Sequence, residues 1–140
     1  GYVQIDSSGR QLRSVAGFGP DDLPVAGITA SGELGQPAPP ETQAVLRLVA
    51  ELDTHPDVAV SQIVVDGQTL YLDLASGGRV KVGDDTALDA KMISLETILA
   101  RVDLRCLWEI DVRVPTAPAV TRIDAAGNPR ATLTDLSQCS

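Results

Sequence analysis

The chain has 140 residues and a formal charge of −8, with 44% hydrophobic and only 3% aromatic residues. This length and apolar fraction suit one domain with a buried core and exclude a disordered chain. The acidic balance argues against nucleic-acid binding, because a nucleic-acid interface needs a basic surface. No apolar run approaches the roughly 18 residues that a membrane span requires.

The first third of the chain predicts a hairpin, an irregular segment and a helix. Residues 2–5 alternate as a half-buried strand does, and residues 11–16 can return as the partner strand after a Ser-Gly turn. Residues 17–40 are rich in glycine and proline and predict an ordered crossing loop. Pro39-Pro40 favours a helix start, and the apolar stripe that follows predicts a helix that stops before Pro56.

The middle of the chain predicts a strand meander and a second helix. Residues 58–65, 68–74 and 79–82 are apolar or alternating and are separated by glycine turns. The helix is predicted over residues 86–102, where apolar residues recur at spacings of three and four. Thr86 is its predicted N-cap, since a threonine hydroxyl can accept a hydrogen bond from a free backbone amide of the first turn.

The last third of the chain predicts further strands. Residues 108–114 alternate apolar and polar side chains, a proline-rich break follows, and residues 119–123 resume as a strand. A final strand is predicted over residues 130–134, followed by a loose tail over residues 135–140. Runs of strands separated by two helices predict an α+β fold, in which two helices pack on a mixed or antiparallel sheet. One domain is therefore expected over residues 1–134.

Few residues point to catalysis or metal binding. A Ser-His-Asp hydrolase would have to use His55, the single histidine, whose place beside Pro56 is more typical of a surface residue at a helix end. Asp84, Asp85 and Asp89 lie at a predicted helix start, where carboxylates complement the helix dipole, and they lack the spacing of a calcium loop. We therefore predict no catalytic residue, no cofactor and no metal site.

The two cysteines, Cys106 and Cys139, are too few and too far apart for a zinc ribbon or a CxxC redox site. An even number permits one disulfide in an oxidising compartment. A buried thiol is the alternative for Cys106, and both alternatives are favoured over a nucleophile, because no neighbouring base is evident.

The strand at residues 119–123 is the candidate binding surface. It lies between proline-rich and glycine-rich breaks, where edge strands are common. An edge strand has unpaired amides and carbonyls, so a peptide can add to it as a further strand. The alternative is an ordinary edge that is protected by its own neighbours.

Five segments follow one another along the chain: VQIDSSGR, DLPVAGI, LDLASGGRVKVG, AKMISLETIL and IDVRVPTAPAV. In their order and spacing, these segments together resemble the extracytoplasmic β-domain of the bacterial cell-division proteins FtsQ and DivIB. The resemblance runs from about Tyr2 to Ile123.

The resemblance implies a non-enzymatic scaffold of septum formation that binds FtsB- and FtsL-like division proteins. It implies a single-pass protein of the cell membrane, with an anchor and a first domain before this extracytoplasmic domain. In the family the partner adds as a strand beside the terminal strand. Carried over, the partner-binding residues are Ala119, Val120, Thr121, Arg122 and Ile123 in the strand, and Val114, Thr116 and Ala117 in the turn before it.

Two departures from the family pattern bear on this expectation. Some members have aromatic residues at the positions of Val114 and Arg122. This chain also continues past Ile123, and residues 130–134 could fold back on the terminal strand and occupy its edge. A different extracytoplasmic module, which binds wall polymer or a small ligand through residues 17–40, is the alternative function.

The cysteines are a further difference from the family pattern. In the oxidising exterior that the resemblance implies, we expect a Cys106–Cys139 disulfide that pins the tail. It would close a loop of about 34 residues and add roughly 3–4 kcal/mol by the loop-entropy model.

Overall fold

The computed structural model of the chain describes residues 2–6, 8–17, 19, 22–28, 34–37 and 39–130. The predicted tail and residues 131–134 of the last predicted strand lie outside the described residues. Much of the irregular segment predicted over residues 17–40 also lies outside them.

The described residues form two helices and nine strands. The helices are α1 (Glu41–Leu52) and α2 (Leu88–Arg101). The strands are β1 (Tyr2–Ile5), β2 (Gln11–Val15), β3 (Val25–Ala26), β4 (Val60–Asp66), β5 (Thr69–Leu74), β6 (Arg79–Gly83), β7 (Leu107–Asp111), β8 (Ala119–Ile123) and β9 (Pro129–Arg130).

Strands β3 to β9 form a seven-stranded sheet in chain order, and β1 and β2 form a separate antiparallel hairpin. Neighbouring strands of the large sheet are antiparallel except in two pairs, β3–β4 and β6–β7, which are parallel. Parallel neighbours need a crossover, and α1 and α2 are the two crossovers. The sheet is therefore mixed and carries two helices, which confirms the predicted α+β fold class.

The core lies between the helices and one face of the sheet. Leu70, Leu72 and Leu74 of β5 are buried, whereas the residues between them are only partly buried. Met92 and Leu95 of α2 are fully buried in the same cluster. The alternate side chains that the strands bury and the apolar side chains on one face of α2 therefore pack in one hydrophobic core.

A glycine allows the first strand of the sheet to lie against its neighbour. Gly27 has φ +93°, and a Cβ built on it would lie 1.8 Å from the carbonyl oxygen of Val65. Any side chain would push the end of β3 away from β4, so the parallel pairing depends on the missing Cβ.

The start of α2 corrects one prediction. The N-cap is Ala87, in the left-handed region at φ 51°, and the predicted N-cap Thr86 is wrong. The amide and hydroxyl of Thr86 both donate to the carboxylate of Asp84. The Thr86 side chain therefore stabilises a turn that precedes the helix and does not cap the helix. Buried Lys91 of α2 donates to the same carboxylate and anchors this turn to the helix.

The strand predicted over residues 108–114 is shorter than expected. Strand β7 ends at Asp111, whose carboxylate accepts the amide and the guanidinium of Arg113. This local turn draws the chain away from the sheet and leaves Val114 exposed. Neither of the two described helices combines the length and the apolar composition that a membrane span requires.

Candidate functional site

The eight predicted partner-binding residues lie together at the last strands of the sheet. The amide of Ala117 donates to the carbonyl of Val114 at 3.0 Å and closes a turn that leads into β8. The turn is exposed, with Val114 57% accessible, and β8 is partly buried after its first residue. The set is Val114, Thr116, Ala117, Ala119, Val120, Thr121, Arg122 and Ile123.

The inner side of β8 is paired with β7. Ala119 pairs with Asp111 and Thr121 with Glu109, and the amide of Ile123 donates to the carbonyl of Cys106 at 2.8 Å. Amides alternate sides along a strand. Those of Ala119 and Thr121 therefore face β7 as Ile123 does, and those of Val120 and Arg122 face outward.

The outer side of β8 is partly covered, because β9 and not β8 is the last strand described. Arg122 pairs with Arg130 and Ile123 with Pro129. The carboxylate of Asp124 stabilises the connecting turn by accepting the amide of Asn128 and pairing with Arg130. Arg130 thus folds back onto β8, and residues 131–134 of that predicted strand lie outside the described residues.

Among the described residues, the part of the β8 edge that β9 does not cover is short. Within the described residues, Ala119, Val120 and Thr121 have a strand neighbour only on the β7 side. Of these three, Val120 directs its amide outward. This half of β8 and the exposed turn before it form the described surface to which another strand can be added.

Arg122 has an internal role that its sequence position did not reveal. One of its terminal nitrogens donates to the carbonyl of Asp103, in the loop that follows α2. Its Nε is buried without a hydrogen-bond partner in the described structure. The Asp103 carboxylate is held by hydrogen bonds from Arg105, which lower its pKa to about 2. The Arg122 side chain therefore anchors β8 to this loop.

His55 is buried, with 9% of its surface accessible, so the prediction of a surface histidine is wrong. Its Nε2 lies 3.0 Å from Oε1 of Glu51 and 3.5 Å from Oδ1 of Asp89, and its Nδ1 contacts Glu96. Glu51 lies one turn before it, while Asp89 and Glu96 come from α2. A histidine between three carboxylates connects the end of α1 to α2.

The pKa of His55 reflects opposing effects. Burial lowers the pKa of the ring, but hydrogen bonds and charges from Glu51 and Glu96 outweigh burial and raise it overall. A Ser-His-Asp triad requires a nucleophile on one ring nitrogen. Here the described side chains within hydrogen-bond reach of the two nitrogens are carboxylates.

The structure separates the three aspartates at the start of α2. Asp84 accepts hydrogen bonds from Thr86 and Lys91, which lower its pKa to about 2. Asp85 pairs with Arg47 of α1, and Asp89 lies in the first turn of α2 beside His55. They do not form one acidic group, and only Asp89 joins a cluster that includes histidine.

Cys106 is disulfide-bonded and has φ 57°. Its predicted partner, Cys139, lies outside the described residues, so the pairing stays a prediction. Cys106 directly precedes β7, and its carbonyl accepts the amide of Ile123. A covalent link here restrains the backbone that supports β8.

A cavity of about 480 Å³ lies between the β1–β2 hairpin and the segment that contains β3 and α1. Apolar side chains such as those of Val3, Leu23 and Val45 line much of it, together with polar Gln11 and Arg13. The described residues of the irregular segment that line this cavity are Asp22, Leu23, Pro24, Val25, Ile28 and Pro39.

No protein-family model matches the chain, and no curated protein matches it.

Proposed function

We propose that this domain is a non-enzymatic scaffold of bacterial septum formation, of the FtsQ and DivIB type. In this proposal it is held outside the cytoplasm by a single membrane span and binds a segment of an FtsB- or FtsL-like division protein. The order of the sequence segments and the α+β fold support it. The observation that carries it is the outward amide of Val120, on a half-strand with no described outer neighbour.

The binding mode is strand addition along Ala119–Thr121. A strand placed there receives the amide of Val120 and lies against the exposed turn that contains Val114. Main-chain hydrogen bonds give such a contact its affinity, and side chains in the turn give it selectivity. The Arg122 side chain donates a hydrogen bond to the carbonyl of Asp103 and so supports β8. The partner strand therefore contacts the backbone and the small side chains of this segment and not the side chain of Arg122.

Strand β9 limits the register of the added strand. It already pairs with Arg122 and Ile123, so a partner strand must end before Arg122 or displace β9. Either route places the partner on the outer side of β8. The two routes differ in whether the Asp124–Arg130 ion pair survives binding.

The test compares two substitutions at one residue. Val120→Pro removes the outward amide, whereas Val120→Thr keeps it and preserves the β-branched shape. Binding of a soluble FtsB-like segment is measured by isothermal titration calorimetry. We expect Val120→Pro to weaken binding roughly tenfold or more, and Val120→Thr to leave it within about twofold.

A third variant checks the assignment of amide directions. The amide of Thr121 faces β7, so Thr121→Pro should lower the melting temperature more than Val120→Pro does. A folded Val120→Pro domain that binds the segment as tightly as the unchanged domain would rule out strand addition at this edge.

A second candidate function follows from the cavity beside the hairpin. Its volume of about 480 Å³ is within the range of small-ligand sites. A domain that binds a small ligand or wall polymer could therefore bind it in this cavity. Val45→Trp would fill it, because Val45 lines the cavity and is itself buried. Loss of ligand binding in that variant, in a domain that does not bind the FtsB-like segment, would favour the second candidate.

A further inference from the structure

The ends of the two helices bring together three metal-ligand atoms that the proposed function does not use. The atoms are Oε1 of Glu51, Nε2 of His55 and Oδ1 of Asp89, and all lie within 4.8 Å of one another. Glu51 and His55 belong to the end of α1 and the turn after it, and Asp89 to the first turn of α2. The spacing of Glu51 and His55 places both on one side of that turn.

The tautomer of the ring sets which of its nitrogens faces the two carboxylates. A neutral imidazole has one N–H donor and one lone pair. With Nδ1–H donating to Glu96, the lone pair of Nε2 faces the carboxylate oxygens of Glu51 and Asp89. The lone pair and the two carboxylate oxygens are donor types that bind metal ions, and these three atoms lie within 4.8 Å of one another.

The surroundings of the ring favour a metal ion. A histidine that binds a metal almost always donates its other ring nitrogen to a carboxylate or carbonyl, which fixes the tautomer, and Glu96 supplies that carboxylate. The ring is buried and therefore held in place, whereas the Asp89 side chain is 74% exposed and leaves a side open to water. One exposed ligand beside two enclosed ones allows an ion to enter and leaves room for a water ligand.

The donor set indicates the class of ion. One imidazole nitrogen and two carboxylate oxygens suit Zn²⁺ and related transition ions. Calcium requires six to eight oxygen ligands, which these residues cannot supply. We propose that Glu51, His55 and Asp89 bind a zinc-type divalent cation that clamps α1 to α2, with Glu96 as the residue that positions the imidazole.

The test uses the domain without a polyhistidine tag, after removal of metal with a chelator. His55 is the single histidine, so its imidazole signals in NMR report on this site alone. Stoichiometric Zn²⁺ should shift them, calorimetry should give one site per chain, and the melting temperature should rise. An equal concentration of Ca²⁺ should do none of these.

Four variants separate the roles of the residues. His55→Ala should abolish binding, and Asp89→Asn should weaken it at least roughly tenfold while leaving the fold intact, since Asp89 is exposed. Glu96→Gln should weaken binding roughly 10–100-fold without changing the one-to-one stoichiometry. Glu41→Gln is the matched control, because Glu41 lies at the far end of α1, and it should change nothing.

Two results would overturn the inference. One is a His55 spectrum that does not change when Zn²⁺ is added in micromolar excess, which would leave a proton as the ion between these groups. The other is equal Zn²⁺ affinity in the unchanged domain and in Asp89→Asn. Neither result bears on the FtsB-like contact at β8, which is a separate proposal.

Discussion

The close approach of β3 to β4 makes Gly27→Ala a sharp test of the sheet. The new Cβ would lie 1.8 Å from the carbonyl oxygen of Val65, so β3 must move away from β4. A left-handed backbone costs an alanine about 1–2 kcal/mol. The substitution also breaks the pairing of Val25 and Ala26 with β4 and the hydrogen bond from the amide of Ile63 to the carbonyl of Pro24. At about 1 kcal/mol for each hydrogen bond, this lowers the free energy of unfolding by roughly a further 2–3 kcal/mol.

Gly77→Ala separates backbone strain from the clash. Gly77 also has a positive φ, +102°, but a Cβ built on it meets no described atom within 4 Å. Its substitution should therefore cost only the strain of about 1–2 kcal/mol. Gly27→Ala should lose roughly 3–5 kcal/mol in total, and the difference between the variants measures the clash.

Urea unfolding followed by circular dichroism measures both losses. The free energy of unfolding is extrapolated to zero denaturant, and an unchanged slope shows that the unfolded state is the same in both variants. Equal losses in Gly27→Ala and Gly77→Ala would refute the reasoning, because the clash with Val65 would then contribute nothing.

Two further predictions concern acid stability and the disulfide. The folded pKa of Asp84, about 2, lies below its ordinary value of 3.8, so the ionised carboxylate stabilises the fold above pH 3.8 and this contribution is lost as the pH falls through about 2. At neutral pH the unchanged domain should therefore melt at a higher temperature than Asp84→Asn, and near pH 2 the two melting temperatures should be equal. A difference in melting temperature that grows as the pH falls would contradict the assignment. For the cysteines, alkylation without reductant should leave the mass of the oxidised domain unchanged, and Cys139→Ser should lower the free energy of unfolding by roughly 3–4 kcal/mol. Two modified thiols in the unreduced domain would show that no disulfide forms.

Local patterns predicted the elements whose signal lies within a few consecutive residues. The alternation at Leu70, Leu72 and Leu74 located β5, and the bounds of β8 agree with the predicted residues 119–123. Proline marked the start of α1 and its end before Pro56. Such signals work because side-chain period and backbone angle are properties of the chain itself.

Local competition caused the errors at element ends. The Asp84 carboxylate takes the amide and hydroxyl of Thr86, so α2 begins two residues later than predicted. The Asp111 carboxylate likewise accepts hydrogen bonds from the amide and the guanidinium of Arg113, and the resulting turn ends β7 early. Both aspartates were visible in the sequence, but whether a short polar side chain caps a helix or closes a turn depends on its neighbours in space.

Tertiary structure decided two features on which the proposals depend: how much of the predicted strand edge is left open, and which residues surround His55. The return of β9 onto Arg122 and Ile123 sets how much of β8 remains for a partner, and that register depends on a turn between strands. The His55 cluster combines the end of α1 with residues of α2 that are far away in sequence. Chain pattern determined which face of each helix is buried and placed Glu51 one turn before His55, but only packing of the helices brought Asp89 and Glu96 to the same imidazole.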